Sequence, residues 1–399
     1  LSFGPPEVKM GWHSQPTTQV IFENVRIPAS RMLGGTDGAG KGFGIAMNGL
    51  NGGRLNIAAA ALGGAAQPAA REGDEAVAAV AGGCGSTVSA LTAHYLATDS
   101  ILIGADDDLR ARILPDAAEG KLLGAFGLTE PNAGSDPADM RTRAHREGDG
   151  WRIRGRKAWI SHAGHADYYT TFARTSDDGG RGVSCFVVPA DAEGLSFGTP
   201  ERKMGLHGDT VREVIFEDAP VSGDRQIGEL GRGVPMALAG LDAGRLGIAA
   251  VATGLAQSAL DVAARYATER EQFGRPIAKF QLVQEPLVRI LGNATASLSM
   301  MAQVARIQEQ GRLEMPFAAL AKATTTRLAR ESAALGRSIA GGNGMITQHG
   351  LSKMMADAEG VTKRVVITVT GAHTEDDALT VARQGATQFK DEEAHWSLS

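Results

Sequence analysis

Apolar and polar positions change period along this chain. Residues 86–104 carry apolar side chains at helical spacing, which predicts a helix. A second helix is predicted over DDDLRARILPDAAEG, with Asp106, Asp107 and Asp108 in a first turn whose N–H groups favour acidic neighbours. From residue 124 the texture is short β-like runs between Gly and Asp turns, continuing to Pro220. From Gly233 to about Ala340 the pattern is helical again, broken near Gly274-Arg275-Pro276 and near Gly311. Met315–Ala340 has the three or four apolar positions per two turns that a bundle helix needs. Strands followed by long helices predict an α+β fold rather than a βαβ nucleotide-binding sheet.

The first residues depart from this plan. LSFGPPEVKMG at Leu1 returns as LSFGTPERKMG at Leu195, and 16 of 34 positions agree between residues 1–34 and 195–228. The similarity resumes between Gly40–Ala59 and Gly231–Ala250. Residues 1–34 read as extended segments and turns, with TTQVIFENVRIP rich in β-branched residues. Residues 42–70 read as a helix weakened by glycines. Four regions are expected: 1–70, an atypical partial duplicate; 71–123, helical; 124–228, a middle β domain; and 229–399, helical.

Composition adds exclusions. Net charge is −5 with no basic stripe, which argues against nucleic-acid binding. Two cysteines, Cys84 and Cys185, make neither a disulfide framework nor a metal-ligand spacing, so no metal is expected. No uninterrupted apolar run suggests a membrane span, and the first residues show no signal-peptide pattern; a cytoplasmic location is the expectation.

Four stretches carry candidate chemistry. GLTEPNAGSD, Gly127–Asp136, is a tight loop in which the hydroxyls of Thr129 and Ser135 stand beside backbone N–H groups; a decorated turn would look the same. In KAWISHAG, Lys157–Gly164, Trp159 can stack on a flat ring or simply fill a core. REQFGRPIAKFQ, Arg270–Gln281, offers an arginine fork suited to pyrophosphate, or a helix end with a turn. GGNG, Gly341–Gly344, allows close backbone approach.

Together, in this order, the four stretches resemble the acyl-CoA dehydrogenase family from about residue 75 to 360. The resemblance implies a helical N-terminal region, a middle β domain and a C-terminal four-helix-type bundle. It also implies FAD, an acyl-CoA substrate oxidised at its α,β bond, and an electron-transferring flavoprotein as electron acceptor. The implied assembly is a homotetramer or a hetero-oligomer with a paralogue, working in fatty acid or branched-chain amino acid metabolism. By the same resemblance Phe126, Leu128, Thr129 and Ser135 line flavin and pantetheine, and Trp159, Ile160 and Ser161 lie against the flavin ring. Arg270, Phe273 and Gln281, with Gly341 and Gly342, reach the FAD of a neighbouring subunit. Asp242 and Arg245 match a substrate-side D-x-x-R, and Ser135 also faces substrate. The first copy of the repeat, KMGWHSQPTTQVIFENVRIP, is similar to the isobutyryl-CoA dehydrogenase type. Asp139, His162 and Ser338 depart from the family pattern.

The implied reaction needs a carboxylate to take the α proton. Aligning VTGAHTEDDALTVAR on the family's ending puts Gly371 at the usual glutamate; the alternative family position is Gly244. Glu375 is the candidate replacement, with Glu359 and His373 weaker ones. Two readings follow: a dehydrogenase with a relocated base, or a catalytically impaired paralogue or partner subunit that keeps FAD or acyl-CoA.

Overall fold

The structure, a computed structural model, describes residues 2–3, 20–26, 28, 78 and 81–364; residues 1–64 and 65–399 are separate units. The helix expected over 42–70 and the segment holding Gly371, His373 and Glu375 lie outside the described residues.

In the first unit, β1 (Ser2–Phe3) pairs antiparallel with β2 (Val20–Ile21). Their register is Ser2 with Ile21 and Phe3 with Val20. In the second unit, β8 (Leu195–Phe197) pairs with β9 (Val211–Val221), placing Ser196 with Ile215 and Phe197 with Val214. Both copies of the repeat therefore fold to one register. They also share a kink: Asn24 has φ 50° and Asp218 φ 54°, a left-handed backbone that Asn and Asp tolerate. The environments differ. Phe216 is 2% exposed beneath the sheet, whereas Phe22 is 66% exposed.

The second unit begins with α1 (Gly85–Gly104) and α2 (Asp107–Ala118). Asp106 caps α2 by accepting from Leu109 N at 2.8 Å, as the aspartate run predicts. Next come β3 (Gly124–Gly127), β4 (Arg143–Glu147), β5 (Gly150–Ser161), β6 (Tyr168–Arg174) and β7 (Val183–Pro189). With β8, β9 and β10 (Gln226–Ile227) they form a mixed sheet of order β10-β7-β6-β4-β5-β9-β8, with β3 parallel to β6. Both faces of the sheet are covered. Along β7, Val183, Cys185 and Val187 pack toward α1 and α2, while Phe186 and Val188 pack with Trp151 and Phe216. This period of two, buried on both sides, is why VSCFVVP reads as a continuous apolar run.

The chain then becomes helical: α3 (Gly233–Glu269), a hairpin of β11 (Glu271–Gln272) and β12 (Arg275–Pro276), α4 (Gln281–Glu309), α5 (Met315–Ile339) and α6 (Leu351–Arg364). The breaks fall where the sequence predicts them. Gly274 (φ 72°) sits in the hairpin turn, and Gly311 (φ 69°) follows α4. By length and composition α3 is apolar enough to cross a bilayer, but most of it is buried as the central helix of the bundle core.

Candidate flavin and acyl-CoA site

Between the pairs Lys157–Val214 and Ile160–Arg212, β5 carries one residue more than β9. This bulge presents Trp159 to solvent, 62% exposed and with φ 56°. A left-handed tryptophan costs on the order of 1–3 kcal/mol, and such strain persists only where the surroundings hold it. The holding contacts are visible on both sides. Ala158 N donates to Thr129 O at 2.9 Å, joining the bulge to the GLTEPNAGSD loop. Ser161 Oγ donates to Asp209 Oδ2 at 3.2 Å, and the same carboxylate oxygen accepts from Ser89 Oγ on α1 at 3.1 Å.

Beneath the bulge lies a buried ion pair. Lys157 Nζ donates to Glu130 Oε1 at 2.7 Å and to Leu128 O at 3.1 Å. Glu130 also accepts from the backbone N–H groups of Arg141 at 2.6 Å and Thr142 at 3.0 Å. Burial pushes the Lys157 ammonium down to about 8 against the pull of Glu130. Burial alone would raise Glu130; Lys157 and the donors around it hold the carboxyl below its usual value instead.

His94 on α1 fixes the strand that leads to this loop. Gly124 N donates to Nδ1 at 2.9 Å, so Nε2 carries the proton and donates to Ala117 O at 3.2 Å. Burial and the neighbouring His162 lower the His94 pKa, although the Ala117 carbonyl opposes them.

The implied flavin residues thus divide by environment. Thr129 and Phe126 are half-buried and Ser135 is exposed. Phe126 stacks edge-on with Phe172 at 5.2 Å. Leu128 and Ile160 pack into the two cores flanking the sheet, so their side chains serve packing. Of Trp159, Ile160 and Ser161, only Trp159 offers an exposed side chain.

A second group gathers at the end of α3. The turn Phe273-Gly274 has positive φ at both residues, as a two-residue hairpin of primed type requires. It displays Phe273 at 93% exposure. Arg275 lies over the Phe280 ring at 4.3 Å. Arg270 and Gln281 are exposed beside this hairpin. Asn343 of the GGNG turn donates to Tyr266 Oη at 3.0 Å, bringing that turn, with exposed Gly341 and Gly342, to the same end.

On α3, Arg245 is buried and donates to Asp242. Burial raises the Asp242 pKa despite that cation. Lys322 on α5 is also buried and donates to Thr362 O at 2.7 Å; burial and Arg245 lower its pKa. Gly244 is no vacancy for a lost carboxylate. A Cβ there would stand 2.7 Å from Leu96 Cδ2, so α1 and α3 pack directly at this point. Glu359 is held by Arg330, Nε to Oε1 at 2.8 Å.

Two family descriptions match this architecture. Residues 125–219 match the acyl-CoA dehydrogenase middle domain, and residues 231–362 match the acyl-CoA dehydrogenase C-terminal domain. The chain belongs to the acyl-CoA dehydrogenase family. It is 38% identical over 268 residues to the probable acyl-CoA dehydrogenase FadE25 of Mycobacterium tuberculosis, covering 67% of this chain and 69% of that relative. Butyryl-CoA dehydrogenase from Megasphaera elsdenii has a similar structure, with TM-score 0.71, 31% identity, and 78% and 80% of the two chains covered. A chain solved in work on the electron transferring flavoprotein of Acidaminococcus fermentans gives TM-score 0.69 at 33% identity, covering 75% of this chain and 78% of that one. Family membership makes the middle sheet and helical bundle those of an acyl-CoA dehydrogenase. Sequence reasoning named the motif loops but missed Glu130, Lys157, Asp209 and Ser89. Glu130 and Lys157 stood inside quoted motifs; a charged pair in two segments otherwise rich in small and apolar residues was the available signal.

Proposed function

We propose that this chain is an FAD-dependent oxidoreductase that introduces an α,β double bond into an acyl-CoA thioester. The observation that carries the proposal is the Trp159 bulge, exposed and hydrogen-bonded through Ala158 to Thr129. An exposed indole held against a hydroxyl-bearing loop fits a flat, polar-edged ring system. Thr129, Ser135, Phe126 and Trp159 would hold the isoalloxazine and the start of the acyl-CoA tail. FAD, when bound, supplies the hydride acceptor. Arg245 and Asp242 orient the thioester end, and Glu375 takes the α proton. Arg270, Phe273, Gln281, Gly341 and Gly342 complete the FAD site of a neighbouring subunit, in a homotetramer or in a hetero-oligomer with a paralogue. The fully exposed Phe273 supports that assembly, because a large apolar side chain on a strained turn gains little from water. An electron-transferring flavoprotein is the electron acceptor, a role supported by the Acidaminococcus fermentans neighbour.

The test is anaerobic mixing of the purified protein with short, branched and long acyl-CoAs while flavin absorbance is followed. Bleaching by at least one thioester, lost in Glu375→Gln with FAD retained, supports the reading. Protein that does not bind added FAD overturns it. A second reading is an impaired paralogue that binds FAD or acyl-CoA without turnover. FAD binding with no bleaching by any thioester selects it.

A further inference from the structure

We propose that Glu130 and Lys157 form a buried positioning clamp that holds the Trp159 bulge in its left-handed, outward conformation, so that the flavin face of the site is built before FAD arrives. The inference rests on the FAD reading above and deepens it. Trp159 cannot keep φ 56° by its own preference, and it is exposed, so no packing of its ring supplies the constraint. The constraint must come from its neighbours along the chain. On the N-terminal side it comes from Lys157, two residues away and fully buried. Its ammonium is held by Glu130 Oε1 at 2.7 Å and Leu128 O at 3.1 Å. Leu128 O and Thr129 O are consecutive carbonyls. The first accepts from the Lys157 side chain and the second from Ala158 N at 2.9 Å, so loop and bulge are joined at two adjacent points. Glu130 is fixed in turn by the N–H groups of Arg141 and Thr142, just before β4. On the C-terminal side Ser161 is tied to Asp209 at 3.2 Å, and His162, itself at φ 65°, donates through Nε2 to Ala90 O at 2.7 Å.

A buried ion pair contributes little net stability, because desolvation offsets most of the attraction. An apolar pair of similar volume would fill the same space. What the charged pair adds is direction: the Lys157 ammonium is satisfied only where it reaches both Glu130 and the Leu128 carbonyl. Glu130 and Lys157 are therefore positioning residues, acting on FAD through Trp159.

The test is a double-mutant cycle on FAD affinity, measured by titrating full-length apoprotein. E130Q/K157M removes both charges; Arg141 N and Thr142 N reach different oxygens of Glu130, so the introduced amide keeps an acceptor for one of the two backbone N–H groups. It is made in the wild-type chain and in W159A. A clamp acting through Trp159 weakens FAD binding about tenfold in the wild-type background and less than about twofold in W159A. Equal losses in both backgrounds, or unchanged affinity in folded E130Q/K157M, overturn the proposal. A second readout does not involve FAD: acrylamide quenching of the Trp159 fluorescence, isolated by difference from W159F, changes in E130Q/K157M apoprotein. Unchanged quenching overturns the clamp. If E130Q/K157M does not fold, E130Q alone carries the same cycle and the same quenching arm. Wild-type protein that binds no FAD refutes the cofactor reading separately, and the quenching arm then decides the clamp.

Discussion

Replacing Gly205 with alanine tests how the KMG loop of the second repeat copy is seated. A Cβ at this position would lie 2.3 Å from Ala356 O and 2.7 Å from Asp357 N, both backbone atoms of α6. Backbone cannot rotate aside as a side chain can, so loop and helix must separate. Overpacking of this kind costs about 1–3 kcal/mol. Separation also lengthens the bond from Leu206 N to the buried Asp357 Oδ1, now 2.6 Å. Leaving that donor poorly paired costs about 1–3 kcal/mol more. Gly205→Ala is therefore expected to destabilise the protein by at least about 2 kcal/mol. Urea unfolding followed by far-ultraviolet circular dichroism measures this as a lower midpoint. Gly342→Ala is the control, because a Cβ there meets nothing within 4 Å; it should stay within about 0.5 kcal/mol of wild type. If both variants unfold with the wild-type midpoint, the close approach of loop and helix is wrong.

Asp209→Ala removes the acceptor shared by Ser89 and Ser161 and should cost about 2–4 kcal/mol, read by the same unfolding assay. His94 is held neutral in the fold, with a pKa below the ordinary histidine value of 6.5. Below that value the unfolded chain takes up a proton that the folded chain refuses, so stability is full above it and falls as pH drops. His94→Asn should flatten this part of the stability–pH profile, measured by urea midpoints from acid to neutral pH. Glu359→Gln breaks only a partly exposed pair with Arg330, so it should cost less than about 1 kcal/mol and leave flavin bleaching intact; lost bleaching would make Glu359 the base. Phe273→Ala should weaken subunit association in sedimentation while changing protomer stability by no more than about 0.5 kcal/mol.

Much of the fold was legible because it rests on local rules. The aspartates before α2 cap it, Gly274 and Gly311 interrupt the helices, and the runs of β6 and β7 alternate between two buried faces. The motif loops were legible as well, since glycine, proline and hydroxyl residues announce a shaped turn. What holds those loops was not. Asp209 lies 120 residues from Ser89 and 48 from Ser161, and Glu130 lies 27 from Lys157. No local pattern connects such partners.

The shared register of β1–β2 and β8–β9 means that two near-copies of one segment adopt one pairing in two different surroundings. Both spell the pairing residues alike, and Gly205, which seats against α6, has Gly11 as its counterpart in the first copy. Only the second keeps Gly208 and Asp209; the first reads Ser14 and Gln15. A Cβ at 208 stands 3.1 Å from Ser86 Cβ, and a glutamine at 209 offers no carboxylate to Ser89 and Ser161. Losing hydrogen bonds to a charged acceptor costs about 1.5–3 kcal/mol, a bias of about tenfold to a hundredfold. Writing the first copy's Ser-Gln pair into positions 208 and 209 would therefore loosen the attachment of this loop to α1 while leaving the strand register untouched.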